Sequence, residues 1–375
     1  MCANPHRGFD SHSLRHPSRR GKCRKILGNS LLINVLSCLI CLCALFSPAP
    51  AHAVRIAEFQ VPTDKSGLAG ITAGPDGNIW FVEQSANKVG RITPVGTITE
   101  FAIPSSSSAP TYITAGPDGN LWFTELMADK IGRITTSGVI TEFPLPPAFN
   151  GPTRITPGPD GNLWFTSSLG SYMGKITTDG VVTEFGRNVE GITAGPDGNI
   201  WVAEVYSDAI AKVSTSGIFT DYFLPGPDSG RFPWDITAGP DGNLWFTELL
   251  GYHIGKITTS GIITEFPTSS FPYDITAGPD GNLWFTEPGV RKIAKITPDG
   301  SITEFTLPSS SMWPETIAAG PDGSIWYADF GSNRVGRISL EDEAVSVPGM
   351  TEGGMIFFMV FAAIISVTNL MKRRT

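Results

Sequence analysis

The middle of the chain alternates short segments of β-branched, aliphatic and aromatic residues with turns rich in glycine, proline and aspartate. One phrase recurs with small variations: Ile-Thr-Ala-Gly-Pro-Asp-Gly-Asn-Leu-Trp-Phe-Thr-Glu. Its Gly-Pro-Asp-Gly turn begins at seven positions: Gly74, Gly116, Gly158, Gly195, Gly239, Gly278 and Gly320. Successive copies are 37 to 44 residues apart. Seven copies at this interval are typical of a β-propeller, in which each repeat forms one four-stranded blade.

Each repeat divides into four strands, which we call A to D. In the second repeat we predict them at residues 111–115, 120–125, 130–135 and 139–145. The turn that starts at Gly116 joins A to B, because proline presets φ and the last glycine accepts the positive φ that closes a hairpin. A turn ending at Gly138 joins C to D in the same way.

The two ends of the repeat region complete one another. The seventh repeat contains strands A, B and C, but no good fourth strand follows. Residues 55–62 at the start of the region, however, copy the D strands of the other repeats. We therefore predict an all-β fold: residues 54–346 form a seven-bladed β-propeller with four antiparallel strands per blade. The N-terminal strand closes the last blade and leaves no free sheet edge between blades one and seven.

Three sets of repeated side chains invite a structural or a chemical interpretation. One tryptophan per repeat is expected to pack between blades, and the turn aspartates are explained by turn chemistry better than by calcium. Strand B ends in an acid in six repeats: Glu83, Glu125, Glu204, Glu248, Glu287 and Asp329; Ser167 is the exception. We interpret this ring as architectural, with the carboxylates accepting backbone N–H bonds. A ring that binds a cation or a basic ligand is the alternative.

The two ends of the chain have the patterns of export signals. Residues 1–53 combine a basic start, an apolar run at 31–46 and an Ala-His-Ala end, as a secretory signal peptide does; an uncleaved anchor is the alternative. Residues 347–375 carry an apolar run at 355–371 followed by three cations, which favours a membrane span with its basic end in the cytoplasm. All five cysteines precede the expected cleavage, so the mature chain would form no disulfide.

The charge of the middle region limits its partners. Ten of the 27 basic residues and two of the 35 acidic residues lie in the two ends, which leaves 17 basic and 33 acidic residues, a net charge of −16, in residues 54–349. Such a body repels phosphate backbones, so we expect no nucleic-acid partner. It attracts cations and cationic ligands.

The loops that join D to A and B to C vary, which suits a binding site on a rigid frame. The two residues before the Ile-Thr of strand A are expected to face the mouth of the central tunnel; we call the first of each pair the slot residue. The pairs are Ala69-Gly70, Thr111-Tyr112, Thr153-Arg154, Glu190-Gly191, Trp234-Asp235, Tyr273-Asp274 and Glu315-Thr316. From this mixture we predict a polar ligand site made by six residues: Tyr112, Arg154, Trp234, Asp235, Tyr273 and Asp274. An idle, solvated tunnel mouth is the alternative.

The recurring phrase resembles the virginiamycin B lyase (streptogramin lyase) family over about residues 54–340. The segments Ile-Gly-Arg-Ile-Thr at residue 131 and Ile-Thr-Glu-Phe at residue 140 belong to the same pattern. The resemblance implies a propeller and an enzyme that opens cyclic depsipeptide antibiotics by C–O elimination with Mg²⁺. It also implies histidines in the slots, and a glutamate shortly after strand B of the last blade.

This chain departs from that pattern in every slot. The slots hold Ala69, Thr111, Thr153, Glu190, Trp234, Tyr273 and Glu315, and Phe330 replaces the glutamate. Residues 54–375 contain one histidine, His253, which aligns with the lysines that open strand C in other repeats. Elimination needs a base and an acid, and Glu190 and Glu315 are the only slot residues able to act as a base. We therefore expect the fold without the activity.

The sequence is compatible with three functions. The preferred hypothesis is an exported, surface-anchored monomer that binds a small molecule or a protein at the tunnel mouth without catalysis. The second is a lyase with a rearranged site that uses Mg²⁺; otherwise no cofactor is expected. The third is a metal-dependent hydrolase of the gluconolactonase type. The tail resembles exosortase-type sorting tails in its order of motif, span and basic cluster, although Gly349 and Gly353 depart from the usual motif.

Overall fold

The computed structural model describes residues 54–340, except residues 148, 168–171, 227–229 and 309–312. Within these ranges 28 strands form seven four-stranded sheets, and every pairing in them is antiparallel. The predicted all-β, seven-bladed propeller is therefore confirmed. The predicted signal peptide at 1–53 and tail at 347–375 lie outside the described residues. No helix in the described ranges is long and apolar enough to cross a membrane.

The strands follow the blades in chain order, and each blade is one sheet. Blade one consists of β2 (Leu68–Ala73), β3 (Ile79–Glu83), β4 (Lys88–Ile92) and β5 (Ile98–Ala102). Blade two consists of β6 (Pro110–Ala115), β7 (Leu121–Glu125), β8 (Lys130–Ile134) and β9 (Ile140–Pro144). Blade three consists of β10 (Pro152–Pro157), β11 (Leu163–Ser167), β12 (Tyr172–Ile176) and β13 (Val182–Phe185). Blade four consists of β14 (Ile192–Ala194), β15 (Ile200–Glu204), β16 (Ala209–Val213) and β17 (Phe219–Phe223).

Blades five to seven repeat the same order. Blade five consists of β18 (Pro233–Ala238), β19 (Leu244–Glu248), β20 (His253–Ile257) and β21 (Ile263–Pro267). Blade six consists of β22 (Ile275–Ala277), β23 (Leu283–Glu287), β24 (Lys292–Ile296) and β25 (Ile302–Thr306), with one 3₁₀ turn at Pro288–Val290. Blade seven consists of β26 (Pro314–Ala319), β27 (Ile325–Asp329), β28 (Arg334–Ser339) and the N-terminal β1 (Arg55–Gln60).

The first strand closes the ring as predicted. β1 lies beside β28 in the order β1-β28-β27-β26, with Arg55 opposite Ser339 and Gln60 opposite Arg334. The Phe59 ring stacks on Trp326 of the same blade at 5.8 Å between centroids. Because this blade combines both ends of the repeat region, closure ties residues that are far apart in sequence, and β1 covers the edge that β28 would otherwise expose.

The repeated tryptophans form the core, and the turn aspartates hold them. All seven are fully buried, and each indole N–H donates to the aspartate four residues earlier. In blade two the Trp122 Nε1 lies 2.9 Å from Asp118 Oδ1, and the ring stacks on Phe143 at 5.3 Å. The packing role of the tryptophans is confirmed. The aspartates have, besides their place in the turn, a second role as hydrogen-bond acceptors for a buried donor.

In six of the seven blades a cation on strand C donates to a carbonyl of the next blade. Arg133 of blade two donates to the Thr178 carbonyl of blade three at 3.2 Å, and Arg337 of blade seven donates to the Pro94 carbonyl of blade one at 2.7 Å. The bond from Arg337 joins the last blade to the first with the geometry used elsewhere in the ring. Blade six is the exception in the described residues, since Lys295 pairs with Asp280 of its own blade.

The ring of strand-B acids is buried, but its hydrogen bonding differs from the expectation. Asp329 accepts from the Gly331 and Ser332 amides at 3.1 and 3.3 Å, as predicted. The carboxyl oxygens of four others have no hydrogen-bond partner in the described part of the chain: Glu83, Glu125, Glu248 and Glu287. The nearby hydroxyls are already engaged, since Ser66 and Ser108 donate to asparagine side chains at 2.6 and 2.7 Å. These glutamates are therefore buried without the backbone bonds that were expected.

Candidate active or binding site at the tunnel mouth

The D–A and B–C loops meet at one end of the tunnel and enclose a cavity of about 350 Å³. Its lining includes the slot residues of six blades: Thr111, Thr153, Glu190, Trp234, Tyr273 and Glu315. The slot residue of blade one, Ala69, is buried, and Gln84 from the B–C loop of that blade lines the cavity instead. The prediction that the slot residues converge on the tunnel mouth is confirmed for these six blades.

The regular pairing of strand A with strand B is interrupted beside the slot residue and the residue that follows it, which we call the floor residue. In blade two the pairing of β6 with β7 shifts register between Pro110 and Ile113, so Thr111 and Tyr112 are not paired with strand B. Four other blades have a similar shift, and in blades four and six strand A begins only after the pair. A β-bulge re-aims side chains in this way, which is why bulges are common beside functional sites.

The floor residues form a buried polar cluster beneath the cavity. Arg154 is 5% exposed, and its Nη1 lies 2.6 Å from Asp235 Oδ1 and 3.1 Å from Asp274 Oδ1. The same nitrogen is 3.1 Å from the Tyr112 hydroxyl, and the guanidinium carbon is 4.9 Å from the centre of that ring. The cluster joins blades two, three, five and six around one guanidinium.

The second oxygens of the two aspartates fix the neighbouring blades. Asp235 Oδ2 accepts from the Ile275 amide at 2.9 Å, and Asp274 Oδ2 accepts from the Ile317 amide at 2.9 Å. Each aspartate therefore holds the strand A of the next blade while it faces Arg154. Buried carboxylates that are paired and hydrogen-bonded in this way are stabilised in place, and the loss of one partner leaves a costly unpaired charge.

The charges of the floor cluster nearly balance. Burial opposes the charge of Arg154, but Asp235, Tyr112 and Asp274 outweigh it and hold the pKa of Arg154 well above its usual value. Burial, followed by the nearby charge of Asp235, raises the pKa of Asp274 well above its usual range. A proton on Asp274 leaves one cation facing one carboxylate, the arrangement that costs least in a buried site.

Aromatic rings form one wall of the cavity above this floor. The Trp234 and Tyr273 ring centroids are 5.4 Å apart and the ring planes are inclined at 38°. The rings of Trp313 and Tyr273 pack edge to face, with their centroids 6.4 Å apart. Trp234 Nε1 has no hydrogen-bond partner in the described ranges, so ring contacts rather than a polar anchor position this indole.

Two carboxyl groups flank the aromatic wall. Burial raises the pKa of Glu315 to about 7, although the charge of Arg154 acts in the opposite direction. Burial also raises the pKa of Glu190, where Arg154 again lowers it and Asp235 adds to the increase. Neither side chain makes a hydrogen bond or an ion pair with another described residue. Both are therefore able to interact with a ligand.

The six predicted ligand-binding residues lie together but at two depths. Tyr112, Arg154, Trp234 and Tyr273 line the cavity. Asp235 and Asp274 are 3% and 1% exposed and hold Arg154 from below, so they support the site rather than form its surface. Sequence reasoning missed Gln84, Val205 and Tyr206 from the B–C loops and Asn188 from a D–A loop. The B–C residues follow directly after the strand-B acids, a regularity that could have identified them.

The remaining candidates lie elsewhere. His253 begins strand C of blade five, where its Nδ1 is 3.9 Å from Glu248, and it does not line the cavity. Phe330 is 41% exposed and lines a separate depression with Asn333 and Ser85. The described ranges contain no group of three or more histidine, cysteine, aspartate or glutamate side chains able to hold a metal ion.

Comparison with known proteins gives one consistent relationship. The sequence model described as the virginiamycin B lyase family matches residues 51–190 and 186–351. The solved structure of a streptogramin B lyase is 35% identical, with a TM-score of 0.73, and the match covers 78% of this chain and all of that one. A catalytically inactive variant of virginiamycin B lyase from Staphylococcus aureus, with alanine in place of a histidine and with quinupristin, is 37% identical with a TM-score of 0.72. That match covers 77% of this chain and all of the other.

A curated relative supports the same relationship over a short segment. The virginiamycin B lyase of Bacillus licheniformis is 47% identical over 45 residues. This match covers 12% of this chain and only 15% of the length of the relative. It corresponds to about one blade of the propeller.

Proposed function

The chain belongs to the virginiamycin B lyase family, and we propose that it uses the propeller of that family to bind a ligand at the tunnel mouth without catalysing C–O elimination. The observation that carries this proposal is the content of the cavity: six slot residues line it and none is a histidine. The lyase from Staphylococcus aureus described above is catalytically inactive when one histidine is replaced by alanine.

The groups that remain are poorly matched to acid–base catalysis. Glu315, with a pKa of about 7, is able to accept a proton. Burial raises the pKa of Tyr112 and Tyr273, so their hydroxyls are weak proton donors. The pKa of Arg154 is also raised, and this side chain is committed to Asp235 and Asp274. Glu190, whose pKa is raised, is the remaining proton donor, but it belongs to blade four, and Trp234 and Tyr273 of blades five and six lie between it and Glu315 of blade seven. Each positioned acid or base contributes about 10²–10⁴-fold in rate, so a donor and a base on opposite sides of the aromatic pair favour binding over elimination.

One observation favours a second candidate, a lyase with a rearranged site. A carboxyl with a pKa near the working pH is a suitable general base, and Glu315 has that property inside the cavity. Mg²⁺ would supply electrostatic stabilisation of the developing charge in such an enzyme. The fit of the site to this ion is poor because the two carboxyls of the described lining, Glu190 and Glu315, come from blades four and seven, with Trp234 and Tyr273 on the blades between them. No observation favours the gluconolactonase-type hydrolase.

We also propose that the propeller is exported and held at the outer face of a bacterial membrane. This rests on the signal-like sequence at 1–53 and the apolar, basic-ended sequence at 347–375. Protease added to intact spheroplasts should digest the propeller. Protection from the protease would contradict this topology.

The catalytic question is tested with a type B streptogramin and Mg²⁺. Elimination leaves the mass of the antibiotic unchanged but opens the ring, which alters its retention time and its fragment ions. Hydrolysis adds the mass of one water. We expect the intact ring to persist with this protein, while the lyase from Staphylococcus aureus serves as the positive control.

A further inference from the structure

Four successive blades present an ordered set of side chains to the cavity. Glu190 belongs to blade four, Trp234 to blade five, Tyr273 to blade six and Glu315 to blade seven. The aromatic pair is therefore bracketed on both sides by a carboxyl group. The slots of blades two and three hold only Thr111 and Thr153, so the acidic and aromatic groups occupy one side of the mouth.

The aromatic pair contributes partly exposed rings to the cavity lining. Both rings are partly exposed and line the cavity, and they meet at 5.4 Å with an inclination of 38°. The negative face of an aromatic ring attracts an organic cation, and the attraction increases when water is excluded. A tryptophan beside a tyrosine thus favours an alkylammonium group over a small hydrated metal ion.

The two carboxyls, when ionised, give the cavity a negative charge that the lining does not balance. Among the described lining residues Arg154 is the only cation, and two aspartates already bind it at 2.6 and 3.1 Å. Glu190 and Glu315 face the cavity without an ion-pair partner in the described ranges. An anionic ligand would be repelled, and a neutral one would leave both carboxyls desolvated without compensation.

From this juxtaposition, and resting on the proposed binding function, we propose that the cavity takes a small organic cation whose methylated ammonium head lies against Trp234 and Tyr273 between Glu190 and Glu315. The volume of about 350 Å³ is at the small end of the range for ligand pockets, which fits a small molecule rather than a folded domain. The net charge of −16 over residues 54–349 also draws cations toward the protein.

The experiment is a calorimetric titration of the full-length protein with benzyltrimethylammonium. Its neutral isostere, in which carbon replaces the charged nitrogen, is titrated in parallel. Two variants test the two parts of the site: Trp234→Leu removes one aromatic face, and Glu190→Gln with Glu315→Gln removes both charges. Phe223→Ala and Glu184→Gln change an exposed aromatic and an exposed acid on outer strands and serve as matched controls.

We expect the cation to bind at least about tenfold more tightly than the isostere. Each site variant should lower the affinity for the cation by about tenfold, and the controls should leave it unchanged. Thermal unfolding of each variant establishes that it is folded. Equal binding of cation and isostere would overturn the inference but leave ligand binding at the mouth intact. No binding of the cation by the folded wild-type protein would also overturn it, and the streptogramin assay tests the absence of lyase activity independently of this result.

Discussion

Arg154 and Asp235 lie 81 residues apart in the chain, yet Nη1 of one is 2.6 Å from Oδ1 of the other. They belong to blades three and five, which are not neighbours in the ring. Since Arg154 also reaches Asp274 of blade six, a single guanidinium connects three floor residues across the tunnel. The bottom of the binding cavity is thus part of the structure that holds the ring together.

The first prediction concerns this ion-paired floor. Arg154→Met leaves two buried carboxyls without their cation, and we expect it to lower the free energy of unfolding by about 3–5 kcal/mol. Adding Asp235→Asn and Asp274→Asn to the same protein should restore part of the loss, because it removes the uncompensated charge. Urea denaturation measures both effects. A triple variant less stable than the single variant would contradict the charge argument.

The second prediction concerns the tryptophan anchor. Asp118→Ala leaves the buried Trp122 indole N–H without its acceptor, and we expect a loss of about 1–3 kcal/mol. Asp179→Ala, at an exposed position in a C–D turn, is the matched control and should change stability little. Chemical denaturation of the two variants provides the comparison. An equal effect of both would show that the hydrogen bond to the indole is unimportant.

The third prediction follows from the buried strand-B acids. Burial, and then the charge of Glu142, raises the pKa of Glu125 from 4.5 to about 8. The folded protein therefore retains a proton that the unfolded chain releases, and stability falls as pH rises from about 5 to 8. The pKa values of three other strand-B acids are also raised, to about 7 for Glu83, about 8 for Glu248 and about 7 for Glu287. Their ionisation should likewise lower stability as pH rises.

Glu125→Gln tests this linkage. The neutral side chain should raise the unfolding temperature at about pH 8 and change it little at about pH 5. Glu184→Gln, at an exposed site, should show no such pH-dependent difference. A thermal scan across this pH range that shows the same slope for wild-type protein and Glu125→Gln would disprove a buried, protonated Glu125.

The fourth prediction concerns the pH dependence of cation binding. The pKa of Glu315 is about 7, so this carboxyl ionises as pH rises through neutrality. The other ionisable groups around it are Arg154, whose pKa is raised, and Tyr273 and Glu190, whose pKa values are also raised. We expect the affinity for benzyltrimethylammonium to increase between about pH 6 and pH 8. Glu315→Gln should flatten this profile; an unchanged profile would assign it to another group.

Much of the fold was predictable because every repeat contains the same turn sequence and similar strand sequences. The Gly-Pro-Asp-Gly turn specifies the A–B hairpin seven times, and the D-like sequence at Arg55 indicates how the ring closes. The link between Trp122 and Asp118 could also have been found, because the spacing of four residues is the same in each repeat. The convergence of the slot residues followed from their equivalent positions before strand A.

The depth of each site residue could not be predicted from the sequence. Asp235 and Trp234 are adjacent in the chain, but the bulge that precedes Ile236 sends one toward the floor and the other toward the cavity wall. The reach of Arg154 depends on the width of the tunnel, which no local pattern encodes. Likewise, the sequence shows that Glu125 occupies a repeated position but not that nearby hydroxyl groups are already engaged.

The proposed absence of lyase activity is tested most directly by a chromatographic time course of a type B streptogramin with Mg²⁺ and the purified protein. Because no slot contains a histidine, we predict that the intact ring persists with this protein for as long as it does in buffer. The lyase from Staphylococcus aureus should open it. A linear product of unchanged mass would contradict this prediction. If Glu315→Gln or Glu190→Gln abolished that product and Glu184→Gln did not, the protein would be a lyase with a carboxylate base.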